Sequence, residues 1–563
     1  MSAERRRRKD LAHHQAIETG RTRLFLLATL MMLAFLAVGV RLIELTLFRE
    51  GSEPRIANAT PPASWQTERA DILDRNGEIL ATSLRTASLY ADPVRVLDPQ
   101  AAARALARLL PRANRKEILE RLRSKRRFTW IRRHLTPQQQ YAVNRLGIPG
   151  LYFQQEEHRV YPHGHLAAHV VGFTGVDNRG LAGIEKSFDA ALRQGSGPLR
   201  LSLDIRVQHI LADEIGKAMR RFQAIGGSGV VMDVTSGEVL GLVSLPDFDP
   251  NRPGAASPDA MFNRATLGIY EMGSTFKIFT AAMALESGKA TLDSVYDASK
   301  PIRIARFAIE DYKPKNRWLS VPEILMYSSN IGAAKMAKDL GATLQQDYLS
   351  RLGLLSPPAL ELPEIGAPLA PYPWREINLL TIAYGHGLAV SPIQLASAVA
   401  AVVNGGISRP ATLLYHAGAP TEGARILSEK TSEQMRRLLR LVVDSGTGSH
   451  AAAEGYLVGG KTGTAEKNDA NGYAGKGLRS SFVGAFPMQA PRYVVFALLD
   501  EPKGDKQTYG YATGGWVCAP IVSNVISRMA PLLGVAPIDE EAPEVERQMF
   551  IEIHEQEKRL ASF

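Results

Sequence analysis

The residues with the clearest chemical potential are Ser274 and Lys277, which lie in the segment Tyr270-Glu-Met-Gly-Ser-Thr-Phe-Lys277. On a helix, residues three positions apart share a face, so the Lys277 amine can reach the Ser274 hydroxyl. A serine becomes a nucleophile when a neighbouring base takes its proton, and a lysine whose pKa is lowered can be that base. Gly273 allows a tight turn that puts Ser274 at the start of the helix. The pair indicates acyl transfer, although an ordinary surface helix has the same spacing.

Two further segments carry residues that belong to the same chemistry. The first is Tyr327-Ser-Ser-Asn330, which precedes a helix of small residues. The second is Val458-Gly-Gly-Lys-Thr-Gly-Thr-Ala465, whose lysine, Lys461, lies on a predicted strand. In chain order the three motifs are S-x-x-K, S-x-N and K-T-G, and this set is far more specific than the first motif alone.

The segment from Gly455 to Thr462 also fits the phosphate-loop pattern G-x-x-x-x-G-K-[ST]. That pattern needs a flexible loop that opens a helix, because the helix amides bind the phosphates. Here Tyr456, Leu457 and Val458 suit a strand, and the residues after the motif form a turn-rich loop. The sequence therefore disfavours a nucleotide-binding site.

The N-terminal segment has the pattern of a membrane anchor. Residues 1–23 are rich in arginine, and residues 24–40 contain no charged side chain. Arg41 can extend outward, which lengthens the apolar stretch to residue 43 and close to the ~20 residues that a spanning helix needs. A cleaved signal peptide fits less well, because no A-x-A-like site follows the stretch. The basic flank predicts a cytoplasmic N-terminus and an exported remainder of the chain.

Composition argues against several other classes of protein. The single cysteine, Cys518, excludes an intramolecular disulfide and a zinc site built on cysteines. The net charge of +10 is local, since residues 101–150 hold 13 Lys/Arg against 2 Glu. An exported basic segment is better explained by a solvated or lipid-facing surface than by nucleic-acid binding. His163, His165 and His169 have no H-E-x-x-H pattern, so we expect neither a metal nor a cofactor.

Periodicity divides the exported chain into a mixed α+β region and a larger α/β region. Residues 100–145 show helical periodicity, and Asn76-Gly77 predicts a type I′ hairpin. A helix near residues 204–220 precedes a hairpin at 230–244, and three more strands lie near the end of the chain. The predicted parts are a cytoplasmic basic tail at 1–23, a transmembrane anchor at 24–43, a non-catalytic domain at 52–200, a catalytic domain at 201–536 and an acidic, peripheral tail at 537–563.

The three motifs together resemble those of the penicillin-binding proteins. An uncleaved anchor, a non-catalytic pedestal and a C-terminal transpeptidase domain, with no glycosyltransferase domain, are similar to the layout of the class B members. Asp74-Arg-Asn-Gly77 looks like their pedestal signature, although Arg69-Ala70 stands where Arg-Gly is usual. Three further pieces are most like the septal, or division, type of the family: Tyr90-Ala-Asp-Pro93, His169-Val-Val-Gly-Phe-Thr174 and Gly180-Leu-Ala-Gly-Ile-Glu185.

The resemblance implies a fold as well as a layout. It implies an α+β pedestal (dimerisation-like) domain and a C-terminal α/β domain of the serine β-lactamase-like, penicillin-binding type, in which helices flank a central antiparallel sheet. Glu271-Met-Gly273 replaces the usual Glu-Pro-Gly before the nucleophile, which changes the stiffness of the loop but not the chemistry.

The resemblance also implies a role for each residue of the first two motifs. Ser274 attacks the carbonyl between the two D-alanines of a stem peptide and forms an acyl-enzyme. Lys277 is the base for that step. Ser328 relays the proton to the leaving D-alanine, and Asn330 holds the substrate amide.

The same resemblance implies that the third motif binds the carboxyl-terminal end of the donor peptide. Lys461 supplies positive charge, and the hydroxyls of Thr462 and Thr464, on either side of Gly463, bind the terminal carboxylate. The backbone amides of Ser274 and Thr464 form the oxyanion hole.

The implied function is that of a peptidoglycan D,D-transpeptidase, which cross-links stem peptides during septal wall synthesis and is a target of β-lactams. The implied partners are the donor and acceptor stem peptides, the membrane, a polytopic septal glycosyltransferase (FtsW-like) and other divisome proteins. The implied location is the bacterial inner membrane at the division site, with the catalytic domain in the periplasm. An elongation-specific relative, a carboxypeptidase and a non-catalytic scaffold or sensor remain alternatives. A β-lactamase is disfavoured because the middle motif is Ser-Ser-Asn and not Ser-Asp-Asn.

Overall fold

The computed structural model describes residues 26–27, 29–39, 69–110, 113–195, 197–304, 307–417, 421–467, 477–551 and 553. The chain forms two compact units, Met1–Gln66 and Thr67–Phe563. The described residues of the first unit are helical and carry exposed apolar side chains such as Leu30 and Phe35. Within the described ranges, no helix is long and apolar enough to cross a membrane. The predicted span at 24–43 lies partly outside those ranges and stays a prediction.

The larger unit begins with a five-stranded sheet. Its longest strand is β2 (Ile79–Ala91), which is antiparallel to β1 (Ile72–Leu73), to β3 (Thr129–Leu135) and to β4 (Leu151–Val160). Strand β5 (Leu199–Arg200) runs parallel to β1, so the sheet brings together residues from both ends of this region.

The predicted hairpin at Asn76-Gly77 forms between β1 and β2, but its turn type differs from the prediction. Gly77 has a φ of +90°, whereas Asn76 is not among the residues with positive φ. The Asp74 carboxylate accepts hydrogen bonds from the amides of Asn76 at 2.7 Å and of Glu78 at 2.9 Å. These bonds hold the chain in a turn organised by the aspartate side chain, which replaces the type I′ turn.

Three helices cover this sheet, namely α1 (Pro99–Leu109), α2 (Arg115–Leu122) and α3 (Pro137–Asn144). The predicted apolar stripe is buried at four positions, Leu106, Leu110, Ile118 and Leu122, and half-buried at Leu109 and Leu119. Three short helices follow: α4 (Ala168–Val171), α5 (Gly183–Ser187) and α6 (Asp189–Gln194).

The prediction of helical structure throughout residues 100–145 is wrong at β3. The strand contains aromatic and β-branched residues, which favour a pleated surface. Ile131 and Leu135 on this strand enter the same core as Leu106. Pairing with β2 therefore overrides a helical periodicity that continues on both sides of the strand.

The centre of the C-terminal part is an antiparallel sheet of five strands, flanked by helices as predicted. Its order is β16-β17-β18-β6-β7, and its strands are β6 (Gly226–Asp233), β7 (Val239–Leu245), β16 (Gly459–Glu466), β17 (Leu478–Phe486) and β18 (Tyr493–Asp500). Between them in the chain lie short strands that form two-stranded ribbons: β8 (Tyr270–Glu271), β9 (Val295–Asp297), β10 (Ile302–Ile304), β11 (Phe307–Ile309), β12 (Trp318–Ser320), β13 (Ala389–Val390), β14 (Ile407–Ser408) and β15 (Ala424–Arg425).

Both faces of this sheet are buried. Along β18, alternate residues enter two different hydrophobic clusters, with Val494, Phe496 and Leu498 in one and Val495, Ala497 and Leu499 in the other. This alternation is what a pleated strand between two helical layers requires.

The helices of this part are α7 (Ile205–Arg221), α8 (Pro258–Met261), α9 (Lys277–Glu286), α10 (Val321–Tyr327), α11 (Asn330–Leu340), α12 (Ala342–Arg351), α13 (Glu376–Ile382), α14 (Pro392–Val403), α15 (Glu429–Asp444), α16 (Gly514–Val517), α17 (Ala519–Leu532) and α18 (Pro543–Met549). The apolar residues of α7 and α17 share one cluster, and those of α9, α14 and α15 share the other. The catalytic motifs lie where the layer formed by α9, α14 and α15 meets the edge strand β16.

The acidic segment at 537–563, expected to be peripheral, packs against α15 as far as it is described. Met549 and Ile551 are buried, and Glu540 forms an ion pair of 3.0 Å with Arg440. The apolar residues and this ion pair hold residues 540–551 against the domain. Residues from Thr67 onward form one compact unit, so the boundary near residue 200 stays a prediction.

Candidate active site

Ser274 lies in a 3-10 turn, Gly273–Phe276, that leads directly into α9. The α-helix therefore begins at Lys277, and Ser274 lies in the tighter turn that precedes it. The side chains of Ser274 and Lys277 nevertheless meet, as the spacing predicts, with 2.8 Å between Oγ and Nζ.

Gly273 allows this turn to approach its neighbours closely. Its φ is +55°, and its amide donates a hydrogen bond to Gly385 O at 3.2 Å. A Cβ atom on Gly273 would lie 2.4 Å from Thr464 O and 3.2 Å from Thr464 N. The backbone next to Ser274 therefore lies against the backbone of Thr464 on β16.

Lys277 is 1% exposed, and its Nζ lies among four oxygens. They are Ser274 Oγ at 2.8 Å, Ser328 O at 2.7 Å, Ser328 Oγ at 3.1 Å and Asn330 Oδ1 at 2.7 Å. Burial lowers the pKa of Lys277 well below 10.5, and the charge of Lys461 lowers it further, while Asp311 acts in the opposite direction. A neutral amine is therefore accessible at this position.

The identity of the four oxygens determines how a neutral amine is oriented. Such an amine has two N–H groups and one lone pair. Ser328 O and Asn330 Oδ1 can only accept, so they take the two N–H groups. The lone pair is left for a hydroxyl, and Ser274 Oγ is the nearer of the two hydroxyls. Lys277 Nζ is thus placed to accept the Ser274 proton.

Ser328 ends α10 in the left-handed conformation, with a φ of +61°. A non-glycine residue in this conformation costs on the order of 1–3 kcal/mol and is kept when the surroundings require it. Its Oγ lies 3.1 Å from Lys277 Nζ and 2.9 Å from Lys461 Nζ. The strained turn therefore places one hydroxyl between two buried amines.

Lys461 is fully buried on β16. Its Nζ contacts Ser328 Oγ at 2.9 Å and Thr462 Oγ1 at 3.1 Å. Burial lowers the pKa of Lys461 to about 7. A strand with a buried lysine that contacts hydroxyls is not a phosphate loop, and this supports the sequence argument against a nucleotide site.

Thr462 and Thr464 keep their hydroxyls within the same cluster. Thr462 Oγ1 lies 3.2 Å from Thr447 Oγ1, and Thr464 Oγ1 accepts a hydrogen bond from Gly514 N at 3.1 Å. Between them, Gly463 has no room for a side chain, since a Cβ would lie 2.3 Å from Ser481 Oγ. The structure thus brings all eight predicted site residues into one connected group.

Asn330, which was expected to bind the substrate amide, has two partners within the protein. Its Oδ1 accepts from Lys277 Nζ, and its Nδ2 donates to Glu310 O at 2.8 Å. Both ends of the side-chain amide are therefore used within the protein. In this arrangement Asn330 orients Lys277. The bond to Glu310 O uses one of the two N–H groups of Nδ2, so binding of the substrate amide by Asn330 stays a prediction.

Asp311 is a part of the site that sequence reasoning missed. Its carboxylate accepts from the amides of Asn330 at 2.5 Å and Ile331 at 3.0 Å, and from Ser329 Oγ at 2.7 Å. It thereby caps the start of α11 and fixes the S-x-N motif. No motif surrounds Asp311 in the sequence, so only the tertiary structure reveals it.

Thr447 was also missed, whereas Gly385 lies in a glycine-rich segment whose pattern favours close backbone packing. Thr447 lies in the small-residue stretch Ser445-Gly-Thr-Gly448, which is a weak signal for close backbone packing. Gly385, in Tyr384-Gly-His-Gly387, has a φ of +87°, and a Cβ there would lie 2.0 Å from Gly273 O. The glycine-rich segment therefore packs directly against the turn that carries Ser274.

The three clustered histidines turn to separate partners. His169 bonds to Ala260 O at 2.9 Å and is buried, which lowers its pKa to about 4, while His165 pairs with Asp247 at 3.1 Å. His163 lies 3.4 Å from Glu78. Across the described ranges, no group of three metal-ligating side chains converges.

Comparison with known proteins identifies two domains. The chain matches the penicillin binding protein transpeptidase domain over residues 227–527 and the penicillin-binding protein dimerisation domain over residues 64–206. It is 41% identical over 481 residues to the "Probable peptidoglycan D,D-transpeptidase FtsI" of Caulobacter vibrioides, covering 83% of this chain and 82% of that protein. It is 30% identical over 509 residues to the peptidoglycan D,D-transpeptidase FtsI of Escherichia coli, with 84% of each chain covered.

Solved structures share the architecture. Penicillin binding protein 3 of Mycobacterium tuberculosis, crystallised with aztreonam, superposes with a TM-score of 0.66 at 23% identity, over 84% of this chain and 98% of that chain. The transpeptidase domain of penicillin-binding protein 3 from Burkholderia pseudomallei gives a TM-score of 0.54 at 34% identity, over 60% of this chain and 98% of that chain. The first likeness shows the fold, and the second extends the likeness to a solved transpeptidase domain.

Proposed function

This chain belongs to the class B penicillin-binding proteins, and we propose that it is a septal peptidoglycan D,D-transpeptidase that works through an acyl-enzyme on Ser274. The observation that carries the proposal is the buried Lys277 amine, 2.8 Å from Ser274 Oγ and held by two carbonyl oxygens. The septal assignment rests on the similarity to the FtsI proteins.

In the first step Ser274 Oγ attacks the carbonyl between the two D-alanines of a donor stem peptide. Lys277 takes the hydroxyl proton, since its lone pair faces Ser274 when its N–H groups bond to Ser328 O and Asn330 Oδ1. The developing oxyanion binds the backbone amides of Ser274 and Thr464. Losing one such donor typically costs on the order of 10²–10³ in rate.

In the second step the terminal D-alanine leaves as an amine. The proton reaches its nitrogen through Ser328, whose hydroxyl lies within 3.1 Å of Lys277 Nζ and 2.9 Å of Lys461 Nζ. The terminal carboxylate binds the hydroxyls of Thr462 and Thr464 beside the charge of Lys461. A β-lactam acylates Ser274 by the same route, because its strained amide and carboxylate imitate this terminus.

In the last step the amine of an acceptor stem peptide attacks the acyl-enzyme. The nitrogen forms an amide bond to the acyl carbon, the ester bond to Ser274 Oγ breaks, and one proton passes from the nitrogen to Oγ. The product is a cross-linked pair of stem peptides and free Ser274.

We further propose that residues 24–43 anchor the chain in the inner membrane, with residues 1–23 in the cytoplasm and the catalytic domain at 201–536 in the periplasm. The charge pattern of the N-terminus supports this orientation. The anchor at 24–43 and the pedestal at 52–200 are the proposed contact regions for a polytopic septal glycosyltransferase (FtsW-like), and other divisome proteins are further proposed partners. Both proposals are inferences from family resemblance.

Product analysis tests the enzymatic proposal. The full-length chain is incubated with a thioester donor that carries the stem-peptide terminus, together with an acceptor stem peptide, and the products are separated by mass. A transpeptidase forms the cross-linked dimer, whereas hydrolysed donor alone indicates a carboxypeptidase and no turnover indicates a scaffold.

Depletion of the protein from cells tests the septal assignment separately. Filaments with unfinished septa are expected. Rounded cells that still divide would assign the protein to elongation.

A further inference from the structure

Two loops beside the catalytic motifs approach each other outside the site described above. The first follows Asp311, which binds the amide of Asn330, and continues through Tyr312 and Lys313. The second follows β18 and ends in Gly514, whose amide bonds to Thr464 Oγ1 at 3.1 Å. Trp516 lies two residues after Gly514. Both loops therefore adjoin residues that contact the motifs.

Four rings at the end of the second loop form a cluster that we call the aromatic shelf: Tyr509 and Tyr511 of the loop, Trp516 of α16, and His450 of the 3-10 turn Ser449–Ala451. Trp516 lies at its centre, with ring centroids 6.0 Å from Tyr511, 5.9 Å from Tyr509 and 4.7 Å from His450. The Tyr511 and Trp516 planes differ by only 13°, so the two rings are stacked nearly parallel to each other. Tyr509 is 79% exposed and Tyr511 39% exposed, so the shelf is open to solvent.

The shelf lies against the K-T-G strand. His450 Nδ1 lies 3.0 Å from Gly515 O, and a Cβ on Gly515 would lie 3.4 Å from Thr462 Cγ2. The shelf therefore begins immediately beyond the threonines proposed to bind the terminal carboxylate.

Lys313 connects the two loops. Its Nζ lies 5.5 Å from the centroid of the Tyr511 ring, a cation–π distance. In the described part of the chain, no carboxylate lies within ion-pair distance of Lys313, whose side chain is exposed. The shelf thus has a positive charge at its edge that no protein group in this part neutralises.

The position of the shelf indicates which ligand it takes. The acceptor amine replaces the D-alanine amine that has just left, so the acceptor must enter from the side of the leaving group. That side is the one next to Lys461, Thr462 and Thr464. When the acceptor amine has reached the acyl carbon, the remainder of the acceptor molecule extends past these residues toward the shelf.

We propose that the aromatic shelf and Lys313 form the acceptor subsite, which binds a peptide that carries a carboxylate in addition to its attacking amine. The flat rings of Tyr511 and Trp516 cover the aliphatic chain that bears the amine, and Lys313 attracts the carboxylate. Exposed tyrosine and tryptophan rings are typical of binding surfaces, because they give large contact area and lose little conformational freedom. This inference rests on the proposed transpeptidase activity and names the subsite for its second substrate.

The test compares how the acyl-enzyme partitions between aminolysis and hydrolysis. The full-length chain is acylated by the thioester donor, and the ratio of dimer to hydrolysed product is measured with acceptor stem peptides whose carboxyl groups are free or amidated. Lys313→Met is expected to lower this ratio about two- to fivefold with the free acceptor, the scale of one partly exposed charge pair. With the amidated acceptor the ratio is expected to match that of the wild type.

Matched variants separate charge from other effects. Lys313→Arg keeps the charge and is expected to keep the ratio. Lys289→Met removes an exposed charge from the turn after α9 and is expected to change nothing. An unchanged ratio in Lys313→Met, or an equal loss with both acceptors, overturns the subsite. A wild-type enzyme that is acylated but makes only hydrolysed product overturns the proposed transpeptidase activity, and this inference with it.

Discussion

Lys277 and Lys461 share one hydrogen-bonding partner, with the Nζ atoms 3.1 Å and 2.9 Å from Ser328 Oγ. Both side chains are buried, and the charge of Lys461 is one of the causes that lower the pKa of Lys277. Two ammonium groups this close disfavour each other, so one amine carries the charge and the other stays neutral. We assign the charge to Lys461 and the neutral, proton-accepting state to Lys277, which divides the roles of cation and base between them.

The first prediction concerns Lys277→Met, which keeps the length of the side chain and removes the amine. The second-order rate constant for acylation by a penicillin is expected to fall about 10²–10⁴-fold, the usual contribution of a general base. Stopped-flow measurement with a fluorescent penicillin gives this constant. Acylation at close to the wild-type rate would contradict the role of Lys277.

The same variant has an expected effect on stability. The pKa of Lys277 is lower in the folded chain than its ordinary value of 10.5. At any pH between the folded-state pKa and 10.5, the unfolded chain therefore binds more protons than the folded chain. Over that interval wild-type stability rises with pH, and this part of the slope is absent in Lys277→Met. At neutral pH the variant is therefore expected to unfold at the same or a higher temperature than the wild type, which separates lost chemistry from lost folding.

The second prediction concerns pH. Because the pKa of Lys461 is about 7, the lysine loses its charge as pH rises through this value. The second-order acylation constant reports the free enzyme, so it is expected to decline above about pH 7 as the attraction for the β-lactam carboxylate is lost. Lys461→Arg stays charged and is expected to lack this decline, whatever its absolute rate. A wild-type profile that stays flat from about pH 6 to 9 would contradict the assignment.

The third prediction concerns Asp311. Its charge raises the pKa of Lys277, so Asp311→Asn is expected to lower that pKa and move the acidic limb of the acylation profile to lower pH. Asp347→Asn removes an exposed carboxylate from α12 and serves as the control, with an unchanged profile. A loss of rate in Asp311→Asn with no movement of the limb would mean that Asp311 only caps α11.

The fourth prediction concerns the packing behind the nucleophile. Gly385→Ala places a Cβ 2.0 Å from Gly273 O at a φ of +87°, whereas Gly288→Ala meets nothing within 4 Å at a φ of +68°. Both substitutions incur the cost of a left-handed alanine, on the order of 1 kcal/mol. Only Gly385→Ala is expected to lose clearly more stability in urea and to slow acylation. Equal behaviour of the two variants would exclude the close contact with the Ser274 turn.

Much of the site was predictable because its residues lie in short motifs. Ser274 and Lys277 meet within one turn, and Ser328 to Asn330 and Lys461 to Thr464 are continuous segments. Asp311 and Thr447 were not predictable, because each acts through a neighbour that is distant in sequence. The use of Asn330 to orient Lys277 depends on Glu310 O, which likewise belongs to another element.

The fold shows the same division between local and distant causes. The antiparallel sheet flanked by helices follows from apolar strands at both ends of a helical middle. Strand β3 was missed because its pairing with β2 outweighs the helical periodicity on both sides of it. The turn at Asn76-Gly77 was assigned to the wrong type because the Asp74 carboxylate organises it. Local sequence pattern therefore predicted the strands of the catalytic sheet better than it predicted strand pairing and turn type elsewhere.

The central claim is that Ser274 is the acylated nucleophile. The full-length chain, Ser274→Ala and the control Ser287→Ala are treated with penicillin, and the intact mass and the modified peptide are determined for each. The wild type and Ser287→Ala are expected to gain one penicilloyl group, mapped to Ser274, and Ser274→Ala is expected to gain none. Equal labelling of Ser274→Ala and the wild type would contradict the account.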